Sequence, residues 1–181
     1  HFADQDWKRP NRAAYMAALA KHRPRMASVL DLERPEQLDE VLSWAEEAAQ
    51  YVEVVMIIPK AFGIISQLPR RIGGADVRLG YSVPTKFGGT QLPVWEFAGW
   101  PVHLLGGQPQ MQMELAHYMD VRSTDGNYAG LMARKFGEFW TPTGWVDLSA
   151  AGYSGRHDAM YEAYSRSCAN IITAWQRMGV L

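Results

Sequence analysis

Val102-His103-Leu104-Leu105-Gly106-Gly107, followed one helix-length later by Asp120-Val121-Arg122-Ser123-Thr124-Asp125-Gly126-Asn127, decides how this chain is read. Each piece is a short buried-type strand running into glycine or a carboxylate. The stretch between them, from about Gln108 to Met119, carries apolar residues at helical spacing. The unit is strand, loop, helix, strand, with its polar residues gathered where the strands end. In parallel α/β barrels the chemistry sits at those ends. Asp125, just past a strand, is therefore the first candidate for a reacting carboxylate.

The same alternation extends upstream. Asn11 is placed to cap a helix through about Lys21, and Met26–Leu30 is an apolar run ending at Asp31. Pro35 opens a helix to about Tyr51, with Leu38, Val41, Leu42, Ala45 and Ala49 on one face. Glu53–Ile58 reads as a buried strand stopping at Pro59-Lys60, and Val77–Val83 as another, interrupted by Gly80. Downstream come a helix over about Tyr128–Phe136, an aromatic, glycine-broken region over Phe139–Tyr153, and a last helix over about Asp158–Met178. Strand ends at Asp4, Asp31, Lys60, Val83, Gly106 and Asp125 recur every ~20–30 residues, the length of a strand-helix unit in a parallel sheet. The expected fold is α/β, a (β/α) barrel of TIM type over residues 1–140, with a C-terminal loop and helix over 141–181 packed on it. Six strands fall short of the eight that close such a barrel. Because the chain opens on His1-Phe2-Ala3-Asp4 as if inside a strand, the barrel is expected to be incomplete at its N-terminus.

With 181 residues and 48% hydrophobic content, the chain can bury one sizeable core. Its net charge of −1 provides no global attraction for polyanions, so any nucleic-acid site has to be a local patch. Cys168 is the only cysteine, which excludes an internal disulfide and a multi-cysteine zinc site. It falls on the apolar face of the last helix and reads as packing. No apolar run reaches the ~18 residues of a membrane span. No cofactor and no metal are expected, and the expected location is cytoplasmic.

Asp4, Asp6, Asp31, Lys60 and Asp125 all project toward one mouth if the strands are parallel and adjacent. Several carboxylates in one pocket push their pKa values apart, so that one can act as a nucleophile while another moves a proton. An Asp at a strand end can equally cap the next helix or turn. At Asp125 the turn is already served by Gly126-Asn127, which favours chemistry there. Gly106-Gly107 opens backbone N–H groups to an anion at a helix start, or is a plain tight turn. Gly80 inside a strand marks close approach of a ligand or a bulge, and Tyr81 beside it either stacks on a planar ring or packs in the core. His103 is either a site residue or a satisfied core histidine. Lys60 is a buried amine open to carbonyl chemistry or a solvated lysine past the strand end. Lys8, Arg12, Arg134 and Lys135 lie nearest the mouth, where a nucleic-acid backbone could pass.

Read in order, these motifs resemble the tRNA-guanine transglycosylase superfamily, barrel enzymes that exchange guanine for a 7-deazaguanine. His103-Leu-Leu-Gly106-Gly107-Gln-Pro109 resembles that family's Tyr-Leu-Met-Gly-Val-Gly-x-Pro, and Asp125 occupies the place of its nucleophilic aspartate. Leu79-Gly80-Tyr81-Ser82-Val83 is similar to the base-contacting Gly-Gly-Leu-Ala-Val segment. Ala27-Ser-Val-Leu-Asp31 is similar to the strand whose aspartate holds the purine-like edge. Val54–Pro59 resembles the family strand ending in Ile-Gln, but Pro59-Lys60 replaces the base-reading glutamine. The opening Phe-x-Asp-x-Asp-Trp-Lys, Leu-Gly-Tyr-Ser-Val-Pro-Thr and His-Leu-Leu-Gly-Gly are closer to the DNA-modifying, DpdA-like branch of phages and genomic islands.

The resemblance implies a covalent aspartyl-sugar intermediate on Asp125. The family's Asp-Ser-Gly-Gly-Phe segment, with its second catalytic aspartate, is not visible here, and either it precedes His1 or Asp4 or Asp6 takes its place in moving the proton. It implies base contacts from Asp31, Lys60, Gly80, Tyr81, Ser82, His103, Gly106, Gly107 and Asn127. Absence of the tRNA enzymes' three-cysteine, one-histidine zinc motif implies DNA in preference to tRNA as the partner. Further partner proteins of a DNA-modification system fit the same resemblance. Two other readings stay open, a non-catalytic nucleic-acid-binding module and a barrel enzyme using Lys60 as an amine nucleophile.

Overall fold

The computed structural model describes residues 2–6, 8–86, 88–149 and 156–180. Seven strands form one sheet among these residues. Six of them, β1 (Phe2–Ala3), β2 (Met26–Leu32), β3 (Val54–Pro59), β5 (Ala75–Ser82), β6 (Pro101–Leu105) and β7 (Asp120–Thr124), run parallel and pair in chain order. The short β4 (Arg71–Ile72) pairs antiparallel with the start of β5. Pairing each strand with the next, without a switch in direction of winding, is the topology of a barrel wall and not of a doubly wound sheet.

The sheet curls into a half-barrel. β1 and β6 are four places apart in the sheet, roughly 19 Å if it were flat. Yet the rings of Phe2 and His103, one on each strand, are 5.2 Å apart. The concave side holds a small apolar cluster of Met26, Met56 and Ile58, packed by Phe2, Val54 and Leu105. The convex side carries the main core, where Val29, Val55, Ile57, Leu79, Val102 and Leu104 meet the helices. Alternate residues thus serve two different cores, as the period of two requires.

The crossovers are uneven. α1 (Arg12–His22) starts where the Asn11 side chain accepts from the N–H of Ala14, and ends at Arg23 in the left-handed region. α2 (Leu38–Ala48) buries Val41, Trp44, Ala45 and Ala48 on one face, and a 3-10 turn at Pro35–Gln37 takes the place of its expected first turn. Between β3 and β5, and again between β5 and β6, short 3-10 turns at Ile65–Gln67 and Val94–Phe97 replace helices. Buried Ile64, Ile65, Leu68, Leu92 and Phe97 cover the sheet there instead. α3 (Pro109–Ala116) and α4 (Tyr128–Phe136) follow β6 and β7 as expected.

The expected aromatic loop contains a hairpin, β8 (Glu138–Thr141) with β9 (Gly144–Asp147). Residues 150–153 of that expected loop, and His1 of the expected first strand, lie outside the described residues. The long α5 (Arg156–Arg177) clamps the hairpin: Ser167 Oγ accepts from the N–H of Trp140 at 2.9 Å, and Asn170 Nδ2 donates to its carbonyl at 2.8 Å. Trp175 of α5 enters the main core. Among the described residues no helix is long and apolar enough to cross a membrane.

Candidate functional site

The C-terminal ends of β6 and β7 bring together the best-defined polar cluster. The N–H of Asp125 donates to the carbonyl of Leu104 at 3.0 Å, which extends the ladder one residue past β7. Its Oδ1 accepts from the N–H of Gly106 at 2.8 Å, and its Oδ2 lies 3.9 Å from Nε2 of His103. Burial pushes the Asp125 carboxyl up, but the neighbouring His103 ring and the Gly106 N–H outweigh it, so the pKa lies below the usual carboxylate range. Asp125 is thus an anion at neutral pH that is partly desolvated, with its side chain 39% exposed.

From the sequence, the Gly106-Gly107 turn is either a site for a ligand anion or a plain tight turn. The structure gives its Gly106 N–H to Asp125, so this donor serves the protein's own carboxylate. Both glycines have positive φ, 65° and 81°. Gln112 of α3, only 4% exposed, donates through Nε2 to the carbonyls of both Gly106 and Asp125, at 2.7 and 2.6 Å. The two loops are therefore tied together from behind by one side chain.

Below Asp125, His103 is 2% exposed. Its Nδ1 is 2.7 Å from Ser123 Oγ, and the same Oγ accepts from Nη1 of Arg78 at 2.7 Å. Arg78, on the concave face of β5, also meets Met26 Sδ at 3.8 Å. Its half-buried guanidinium has a lowered pKa, chiefly from burial and then from the nearby Arg25 and Arg122. Sequence reasoning missed Arg78, Ser123 and Gln112. The available signal was the charge of Arg78 between the buried Val77 and Leu79.

A second polar group sits at the ends of β2 and β3. Lys60 Nζ contacts Asp31 Oδ2 at 2.5 Å and Glu33 Oε1 at 3.4 Å. Burial lowers the Lys60 pKa, but Asp31 and Glu33 more than reverse this and raise it. An amine nucleophile needs the opposite shift, so this geometry turns Lys60 into a cationic partner of Asp31. Asp4 accepts from Ser28 Oγ at 2.5 Å, on the concave face. Asp6, by contrast, accepts from the N–H groups of Lys8 and Arg9 and serves a turn in an exposed loop.

Other expected site residues hold the fold. Tyr81 is 4% exposed and packs edge-on against Phe97 on the convex side, away from the mouth. Gly80 leaves room for neighbouring core side chains, since a Cβ there would meet Ile58 Cγ1 at 2.6 Å and Leu105 Cδ1 at 3.0 Å. The N–H of Ser82 donates to Thr90 Oγ1 and fixes the following loop. Arg12 pairs with Glu47 at 2.7 Å and donates to Ser43, joining α1 to α2. Lys8 is exposed beside the Asp6 turn. Arg134 and Lys135 lie in the last turn of α4, ~10 Å from its start.

Space for a ligand opens beside Asp125. A cleft of about 320 Å³ is lined by Asp125, Gly126, Tyr128, Tyr164, Ile172 and Trp175, among others. A second of about 510 Å³ continues from Gly126 and Tyr164 to Asn127, Tyr161 and Arg134. In the segments that follow β3 and β5, Phe62 and Trp95 meet edge-on at 5.8 Å, 68% and 62% exposed. Thirty-odd residues apart in sequence, they gave no signal there. Among the described residues no group of three or more His, Cys, Asp or Glu side chains is placed to hold a metal ion.

The chain belongs to a family of unknown function, DUF6610, whose model matches residues 1–176. No curated protein and no solved structure matches it.

Proposed function

We propose that this half-barrel belongs to a TIM-type transglycosylase that exchanges guanine in a nucleic acid, DNA in preference to tRNA, for a 7-deazaguanine. The observation that carries the reading is Asp125. It is a partly buried carboxylate kept ionised by His103 and the Gly106 N–H, at the C-terminal end of a parallel strand, and it opens on a cleft. One Asp125 oxygen forms a bond to C1′ of the guanosine. The C1′–N bond breaks, its electron pair leaves with guanine, and a proton from Asp4 neutralises the departing base. A 7-deazaguanine then attacks C1′, displaces the carboxylate and returns its proton. Asp125 also stabilises the positive charge that develops on the sugar.

The base has to leave its stack to reach such a site. Phe62 and Trp95 offer exposed aromatic faces for an unstacked base, and Asn127, Tyr164 and Arg134 line the cleft for the flanking strand. The Asp31–Lys60 pair presents one acceptor and one donor at the neighbouring strand ends, a set suited to a purine edge.

Incubation of the protein with DNA or tRNA and isotopically labelled guanine tests the reading. Label is expected in DNA, and none with Asp125→Asn. A folded protein that labels neither polymer overturns it, and salt-dependent DNA binding that survives in Asp125→Asn without exchange would establish a binding module instead.

A further inference from the structure

The cluster beneath Asp125 contains two buried polar atoms without a hydrogen-bond partner among the described residues, Nε2 of His103 and Nε of Arg78. Buried unpaired groups are costly, and such atoms near a reacting group point to a role beyond packing. The hydrogen-bond inventory of the cluster fixes where its protons lie.

A guanidinium only donates, so Arg78 gives a hydrogen to Ser123 Oγ. The Ser123 hydroxyl has a single hydrogen of its own, and its other polar neighbour is Nδ1 of His103. That hydrogen therefore points to Nδ1, which accepts it and carries no proton. In the neutral ring the proton is then on Nε2. The neutral tautomer protonated on Nδ1 would leave the Ser123 hydrogen without a protein acceptor among the described residues and turn a bare nitrogen lone pair toward the Asp125 carboxylate.

We infer that Arg78 and Ser123 are positioning residues that hold His103 with its proton on Nε2, facing Asp125. The chain of contacts crosses three adjacent strands, β5, β6 and β7. It links a half-buried cation on the concave face to the carboxylate at the mouth. At 3.9 Å the Nε2–H attracts the Asp125 oxygen but does not yet hydrogen-bond it. Closure by ~1 Å would form the bond, as catalytic contacts often tighten once substrate is bound. Arg78 makes no ion pair with a carboxylate among the described residues, so its charge acts on the site through the Ser123 hydroxyl.

The inference about the tautomer stands on geometry alone; its effect on rate rests on the transglycosylase reading. Nitrogen-15 NMR of the full chain, with the ring nitrogens of His103 assigned through long-range proton couplings, reads the tautomer directly and needs no activity. The neutral ring is expected to be protonated on Nε2 in the wild type, and Ser123→Ala and Arg78→Met are expected to shift population toward Nδ1–H. Ser123→Thr keeps the hydroxyl and is expected to restore the wild-type pattern, which separates the effect from loss of packing. In the same samples the Asp125 carboxyl carbon is expected to titrate at higher pH in Ser123→Ala than in the wild type. A wild-type ring protonated on Nδ1, or a tautomer and Asp125 titration unmoved by Ser123→Ala, overturns the inference. If the wild type exchanges bases, Ser123→Ala is expected to lower the rate about tenfold, the equivalent of one net hydrogen bond. Absence of exchange in the wild type with the Nε2 tautomer intact would refute the proposed reaction and leave the positioning chain standing.

Discussion

Replacement of Gly107 by alanine tests the packing that holds the Asp125 loop. Gly107 sits at φ 81°, and a Cβ there would lie 2.4 Å from Cγ1 and 2.6 Å from Cβ of Val83. Rotation of the valine relieves the first contact but not the second, because Val83 Cβ is fixed by the backbone. That backbone is itself pinned, since the N–H of Val83 donates to the carbonyl of Leu105 at 3.0 Å. The positive φ costs about 1–2 kcal/mol for any residue with a Cβ, and overpacking a close-packed site adds about 1–3 kcal/mol. Gly107→Ala is therefore expected to lose about 2–5 kcal/mol. Gly106 is the internal control. It has φ 65° with nothing within 4 Å of an added Cβ, so Gly106→Ala is expected to lose only the ~1–2 kcal/mol of backbone strain. Urea unfolding followed by tryptophan fluorescence gives both values from midpoints at a common slope. Equal losses in the two variants, or a loss under ~0.5 kcal/mol for Gly107→Ala, would refute this view of the turn.

Three further expectations follow from the same cluster and its neighbour. Gln112→Leu strands the carbonyls of Gly106 and Asp125 without their buried donor, and urea unfolding is expected to show a loss of about 2–4 kcal/mol; a neutral substitution would mean that water replaces the amide. The folded-state pKa of Asp125 is depressed, so the stability it contributes is fully present above the ordinary carboxylate value of ~3.9 and is lost as pH falls through the depressed value. The stability difference between wild type and Asp125→Asn is thus expected to be flat from about pH 7 to about pH 5 and to shrink below about pH 4, whereas a difference that grows on acidification would contradict it. Lys60, whose pKa is raised by Asp31 and Glu33, is expected to be reductively methylated more slowly at about pH 8 than the exposed Lys21, as read by peptide mass mapping; faster labelling of Lys60 would revive the amine mechanism.

The parallel strands were legible because each is a short apolar run closed by a polar residue, glycine or proline, and the α1, α2 and α3 assignments rest on a cap, a proline and helical spacing that act locally. The curl of the sheet was not legible, since nothing in Phe2 or His103 alone says that they meet. The hairpin over Glu138–Thr141 and Gly144–Asp147 escaped notice because α5 fixes it from outside, through Ser167 and Asn170. Its two strands, of four residues each, are too short to announce a pair by themselves. At the site, Asp125 and His103 stand out by type and position. Asp6 and Arg12 looked alike in sequence to the other mouth residues, and only their partners show that they serve a turn and a helix pair. Gly80 shows the same limit in reverse, because a glycine inside a strand marks crowding without saying whether a ligand or the core supplies it. Ser123 and Gln112 carried no signal, because a serine or glutamine matters only through what it touches.

The central claim is that Asp125 is a nucleophile kept ionised in place, and intact mass spectrometry under denaturing conditions tests it most directly. The wild type, incubated with guanine-containing DNA and a 7-deazaguanine, is expected to gain the mass of the DNA strand lacking one guanine. The linkage should map to Asp125 and be absent in Asp125→Asn. No adduct from a folded wild-type protein with a competent substrate, or an adduct that persists in Asp125→Asn, would contradict the account.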